Sequence, residues 1–111
     1  MAHPQFRLFR GRSGKFYFNL TAKNAQVILT SQGYASKVST LNGVKAVKAA
    51  SKKATLFERK TAANGKYFFV LTSPNGQTIG KSEMYNSASG RSNGIKSVGA
   101  NAGKARVTDE T

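Results

Sequence analysis

Apolar positions along this chain recur first at a spacing of two and then at a helical spacing, and the whole order of events happens twice. Residues 6–10 place Phe6 and Leu8 on one face of a short basic strand. Residues 15–22 set Phe16, Phe18 and Leu20 against Tyr17 and Asn19, the alternation of a half-buried strand. A third strand is predicted over 26–31, reached through a Lys-Asn-Ala turn. After Tyr34 the period lengthens: Ser36 can cap a helix in which Leu41, Val44 and Val47 face the core. Asn42-Gly43 inside that helix reads by itself as a turn, so its glycine needs a reason, and close approach of helix to sheet is the simplest.

The same order returns 51 residues later without a gap, with seventeen identities between the copies. Phe6, Lys15, Phe18, Leu20, Asn24 and Gln26 match Phe57, Lys66, Phe69, Leu71, Asn75 and Gln77, and Tyr34, Ser36, Asn42, Gly43 and Val47 match Tyr85, Ser87, Asn93, Gly94 and Val98. A unit too small to bury its own apolar face must pair with a neighbour, so two copies predict one pseudo-twofold domain over 1–111. Repeat one runs over about 6–50 and repeat two over about 57–101, joined by a basic connector, 51–56. The second helix is weak by propensity, with Ser89, Gly90, Ser92, Asn93, Gly94 and Gly99 in it, and packing of Ala88, Ile95 and Val98 is expected to hold it. Residues 1–5 read as a frayed lead-in, and the polar stretch 102–111 as a disordered tail.

The paired pattern Asn/Ser-Gly-Lys-aromatic-x-Phe-x-Leu, Asn-x-Gln-x-Ile-x-x-Ser, Tyr-x-Ser and Asn-Gly-hydrophobic-Lys-x-Val resembles the YegP-like family of small bacterial proteins, over nearly the whole chain. The resemblance implies an α+β fold: tandem β-β-β-α repeats forming one antiparallel sheet with two helices packed on it. For function it implies an uncharacterised family with no activity or catalytic residues to carry over. Two departures stand out: Gln32-Gly33 occupies the place of the Glu-x pair kept as Glu83-Met84, and Ala25 stands where the second copy keeps the turn glycine Gly76.

Charge changes the picture most. The chain has 18 Lys and Arg against 4 Asp and Glu, a formal net charge of +14, and no acid precedes Glu58. Such a field attracts polyanions, nucleic acid first and anionic lipid or acidic proteins behind it, though it also serves solubility. There is no cysteine, hence no disulfide or thiolate metal site. No apolar run suits a signal peptide or a membrane span, so a soluble, cytoplasmic, monomeric protein is expected.

Catalysis has little to work with. Glu58 and Glu83 are the only carboxylates inside the repeats, and His3 stands alone, so neither an acid/base pair nor a metal or cofactor site is visible. Gly11-Arg-Ser-Gly-Lys15 is too short for a phosphate loop and leads into a strand instead of a helix. The better candidate is a nucleic-acid surface. If Phe18 and Phe69 face inward, Tyr17 and Phe68 lie on the opposite sheet face, where bases could stack while Arg10, Arg12, Lys15, Lys66 and Lys81 hold phosphates. The alternative is that both rings cover the second sheet face or form a self-association patch. A non-enzymatic protein of unknown role is the leading expectation, with a sequence-tolerant nucleic-acid binder and an adaptor for an acidic protein as alternatives.

Overall fold

Each repeat folds into three strands and a helix because each turn and cap is supplied locally. The computed structural model describes residues 3–111. Strands β1 (Gln5–Arg10), β2 (Phe16–Thr21) and β3 (Val27–Thr30) precede helix α1 (Lys37–Ala50). Strands β4 (Phe57–Thr61), β5 (Tyr67–Thr72) and β6 (Thr78–Lys81) precede helix α2 (Ala88–Asn101). Gly14 and Gly65 turn the first hairpin of each copy with φ of +83°, and the Asn24 and Asn75 side chains accept from the amides of Gln26 and Gln77 in the second. Ser36 and Ser87 cap the helices, accepting from Ser39 and Gly90 amides at 3.1 and 2.9 Å.

The strands form one seven-stranded sheet in the order β4-β5-β6-β3-β2-β1-β7, with β3 and β6 meeting at the pseudo-twofold axis. Both helices lie on one face, over Phe6, Leu8, Phe18, Leu20, Phe69 and Leu71, all essentially inaccessible to water. Into this layer α1 sends Val44 and Val47, and α2 sends Val98. The helix glycine is explained by a close approach, to a tyrosine ring more than to the sheet itself. A Cβ on Gly43 would strike the Tyr34 hydroxyl and come within 3.2 Å of Phe18, and Gly94 stands in the same relation to Tyr85 and Phe69. Seating that glycine turns α1 so that Thr40, Gly43, Val44 and Val47 form the buried stripe. Leu41 falls off it and is 36% exposed, contrary to the expected inward position, and Ala88 of α2 is likewise exposed.

Residues 102–111, expected to be disordered, are ordered. A 3-10 turn at Ala102–Lys104 leads to β7 (Arg106–Asp109), which buries Ala102 and Ala105 and pairs with β1 in parallel. The sheet is therefore mixed, not purely antiparallel. The parallel direction follows from the pseudo-symmetry. The chain leaving α1 runs into β4, so the chain leaving α2 arrives where the symmetry-related strand β1 already lies, heading the same way, and adds outside it. Pro4, within the expected lead-in, is buried, and its carbonyl accepts from Arg106 at 3.1 Å.

Candidate polyanion-binding surface

The alternation that sends Phe18 and Phe69 inward sends Tyr17 and Phe68 to the face without helices, as the sequence pattern predicts. Register partners cross that face as one row over all seven strands: Glu58, Val70, Lys81, Thr30, Asn19, Arg7 and Thr108. Six strand spacings make the row about 29 Å long. Tyr17 and Phe68 sit outside the row and are half-buried. The Tyr17 ring stacks on Phe9 at 5.5 Å and lies against Gly11 and Gly33, and Lys81 places its ammonium 5.0 Å from the Phe68 ring centroid. Each ring is thus partly covered by its own neighbours.

The seven candidate residues do not form one patch. β2 and β5 are three strand spacings apart, about 14 Å, and run in opposite directions, so Lys15 and Lys66 stand at opposite ends of the sheet. Arg12, Lys15 and Lys66 are exposed in the turns. Lys81 joins Phe68 on the open face. Arg10 does not reach that face: paired with Phe16, it stacks over that ring at 4.9 Å on the helix side. Arg91 takes the equivalent place over Tyr67 at 5.0 Å.

Sequence reasoning missed Phe9, Arg7 and Arg106 on the open face. Phe9 had a signal, since Phe6 and Leu8 inward leave it outward; Arg106 had none while β7 was taken for a tail. Three of the 18 cations contact carboxylates: Arg7 with Glu110 at 2.7 Å, Lys37 with Asp109 at 2.8 Å, and Lys60 with Glu58 at 3.9 Å. The other 15 have no carboxylate within 4 Å among the described residues. Much of this excess lies on the helical layer, at Lys45, Lys48, Lys52, Lys53, Lys96 and Lys104. There the two helix C-termini approach, Gly99 lying near the Ser51 carbonyl, and Lys48 in the last turn of α1 offsets the negative end of that helix dipole.

The shifted titrations belong to the ion pairs of the last strand and to two tyrosines beside the helices. The Lys37 ammonium, the strongest influence, and the Thr111 hydroxyl and amide hold the Asp109 carboxyl well below its ordinary range. The hydrogen bond and charge of the Glu110 carboxylate raise the Arg7 guanidinium further above its already high ordinary value. Burial raises the Tyr34 and Tyr85 hydroxyls, Tyr85 also through Glu83. Among the described residues no three His, Asp or Glu side chains gather to hold a metal. Among the described residues no helix is long and apolar enough to cross a membrane.

The fold and sequence have relatives. The chain matches the model for a domain of unknown function, DUF1508, twice, over residues 12–58 and 62–109. Those segments run from β2 into β4 and from β5 through β7, so β7 stands to the second copy as the start of β4 does to the first. The chain is 42% identical to the UPF0339 protein YegP of Escherichia coli, over 96% of each chain. It is 40% identical to the UPF0339 protein PA0329 of Pseudomonas aeruginosa, over 96% of this chain and 97% of that one. The solution structure of E. coli YegP, described as a protein of unknown function, superposes with a TM-score of 0.93 over 100% of this chain and 96% of that chain. That of SO3888 from Shewanella oneidensis gives 0.89 at 37% identity, over 98% and 92%. The paired motifs, the two β-β-β-α units on one sheet and these matches together place the chain in the DUF1508 (UPF0339) family, as a two-repeat protein similar to YegP.

Proposed function

We propose that this is a non-catalytic, monomeric cytoplasmic protein that binds polyanions, with sequence-tolerant single-stranded nucleic acid as its ligand class. The supporting observation is the 15 cations without carboxylate partners, spread over both faces of a small domain. The uncovered sheet face adds a track about 29 Å long carrying Lys81, Arg7, Thr30 and Asn19, with Phe68 and Tyr17 beside it. Because Lys81 and Phe9 already occupy one side of each ring, charge carries the binding and stacking adds to it.

A salt titration with an oligonucleotide tests this. A binder that contacts six to ten phosphates loses about three to five decades of affinity between roughly 50 and 200 mM salt. Lys81→Ala is expected to reduce the slope by about one phosphate contact, and Phe68→Ala and Tyr17→Ala to weaken binding with the slope unchanged. Absence of binding at the lower salt overturns the proposal. A stoichiometric protein partner that survives nuclease in a pull-down would favour the acidic-protein reading instead.

A further inference from the structure

We propose that the groove between the β2–β3 hairpin of repeat one and helix α2 of repeat two binds a neutral, monosaccharide-sized polyol. The groove holds about 240 Å³. One wall carries Asn24, Gln26 and Ile28, and the other carries Tyr85, Asn93 and Ser97.

The duplication supplies an internal comparison. Asn24, Gln26, Tyr85 and Asn93 all belong to the seventeen pairs identical in both copies, which is four of the five polar side chains lining the groove in a repeat only one-third identical. The fold accounts for part of this. The Asn24 carbonyl oxygen holds the hairpin turn, and the Tyr85 ring fills the notch left by Gly94. It does not account for the Asn93 carboxamide. Asparagine disfavours a helix interior, and the hydrogen bonds of the described residues engage Asn24, Asn75 and Asn101 but neither Asn42 nor Asn93. The Gln26 side chain has only a 3.4 Å contact with Asn24, and the hydroxyl of the half-buried Tyr85 has no partner among these bonds.

The two copies have diverged at this place. Beside α1 lies a different, smaller pocket of about 140 Å³, which shares only Ala46 and Ser73 with the positions equivalent to this lining and is otherwise walled by Ala49, Ala50, Lys53, Leu56 and Pro74. Ser97 stands where α1 has Ala46, and Gly90 where it has Ser39. These substitutions, with the four shared polar side chains unchanged, distinguish the groove from its equivalent positions in the other copy.

The lining selects the ligand class. It holds no charged side chain, so neither an anion nor a cation finds a countercharge there. Carboxamides and hydroxyls both donate and accept, which matches adjacent hydroxyl groups better than a carboxylate that only accepts or an ammonium that only donates. Ile28 and Ala22 offer an apolar floor for the C–H face of a sugar ring. With no lysine or arginine in the walls, binding here is independent of the polyanion surface.

The test is titration of the isotopically labelled full chain with D-glucose, D-ribose and myo-inositol to about 50 mM, followed by amide NMR, since a small shallow site binds in the millimolar range. Saturable shifts are expected at the Asn93 and Gln26 side-chain amides and at Gly90 and Gly94, for at least one of the three. Asn93→Ala, an exposed change that favours the helix, is expected to weaken binding about tenfold or more while the spectrum stays folded, and Asn42→Ala to leave it intact. Raising the salt is expected to change nothing. No saturable shift with any of the three, or shifts indifferent to both Asn93→Ala and Gln26→Ala, overturns the proposal. Shifts with a free nucleobase such as cytosine but with no polyol overturn the ligand class.

Discussion

Ala25 holds a backbone conformation that suits glycine better. Its φ is +67°, and the equivalent Gly76 has +86°. The missing turn glycine therefore leaves the turn in place and strained, since a Cβ in the left-handed region costs about 1 kcal/mol. Ala25→Gly is expected to stabilise the protein by roughly that amount, read as a higher urea midpoint with unchanged slope. The opposite change is penalised at the helices. Gly94→Ala puts a methyl group into the Tyr85 ring that fills the notch, and should cost about 1–3 kcal/mol. Adding Tyr85→Phe removes the atom most in conflict, so the double variant should recover part of the loss; a double variant no more stable than the single would refute the contact. The sequence shows the tyrosines only as a recurring pair, one just ahead of each helix. That they dock on the Asn-Gly glycine required coordinates, because nothing in a one-dimensional pattern connects residues nine apart across a turn.

At the scale of elements, β7 shows why the last segment escaped prediction. A four-residue strand with Val107 as its single branched apolar residue has no readable alternation, and its stability comes from a partner far along the chain. It is held by backbone bonds to Pro4 and Leu8, a 2.5 Å bond from Thr108 to Gln5, and two exposed ion pairs. The Asp109 carboxyl has a folded pKa depressed below its unfolded value. Its contribution is therefore fully present above the unfolded value, about pH 4, and is lost as pH falls below it. Acidification below pH 4 should move the β7 resonances toward random-coil positions before those of β2 and β5, whereas Asp109→Asn should remove that early step. The strands and caps of the repeats were readable because each is local: Ser36→Ala or Ser87→Ala should each cost about 1 kcal/mol.

For the whole molecule, charge decides how stability responds to salt. Three exposed ion pairs weaken on screening, but 15 cations without carboxylate partners repel one another. The larger number should win, so the melting temperature is expected to rise between about 10 and 150 mM sodium chloride, and a fall would show that the pairs matter more. The duplication made the two-unit architecture legible, whereas the distribution of the candidate site was not. Tyr17 and Phe68 share a face by alternation, but their separation depends on the antiparallel meeting of β3 and β6, which no local spacing encodes. The parallel pairing of β1 with β7 also sets a schedule for synthesis. Arg7 and Glu110 are 103 positions apart, so β1 leaves the ribosome long before the strand that covers it. Until then its outer carbonyls at Pro4 and Leu8 lack their donors, on an edge whose inner face is Phe6 and Leu8. A nascent or nicked chain lacking residues 106–109 thus presents an open, apolar-backed strand, the kind of edge on which chains aggregate and chaperones act.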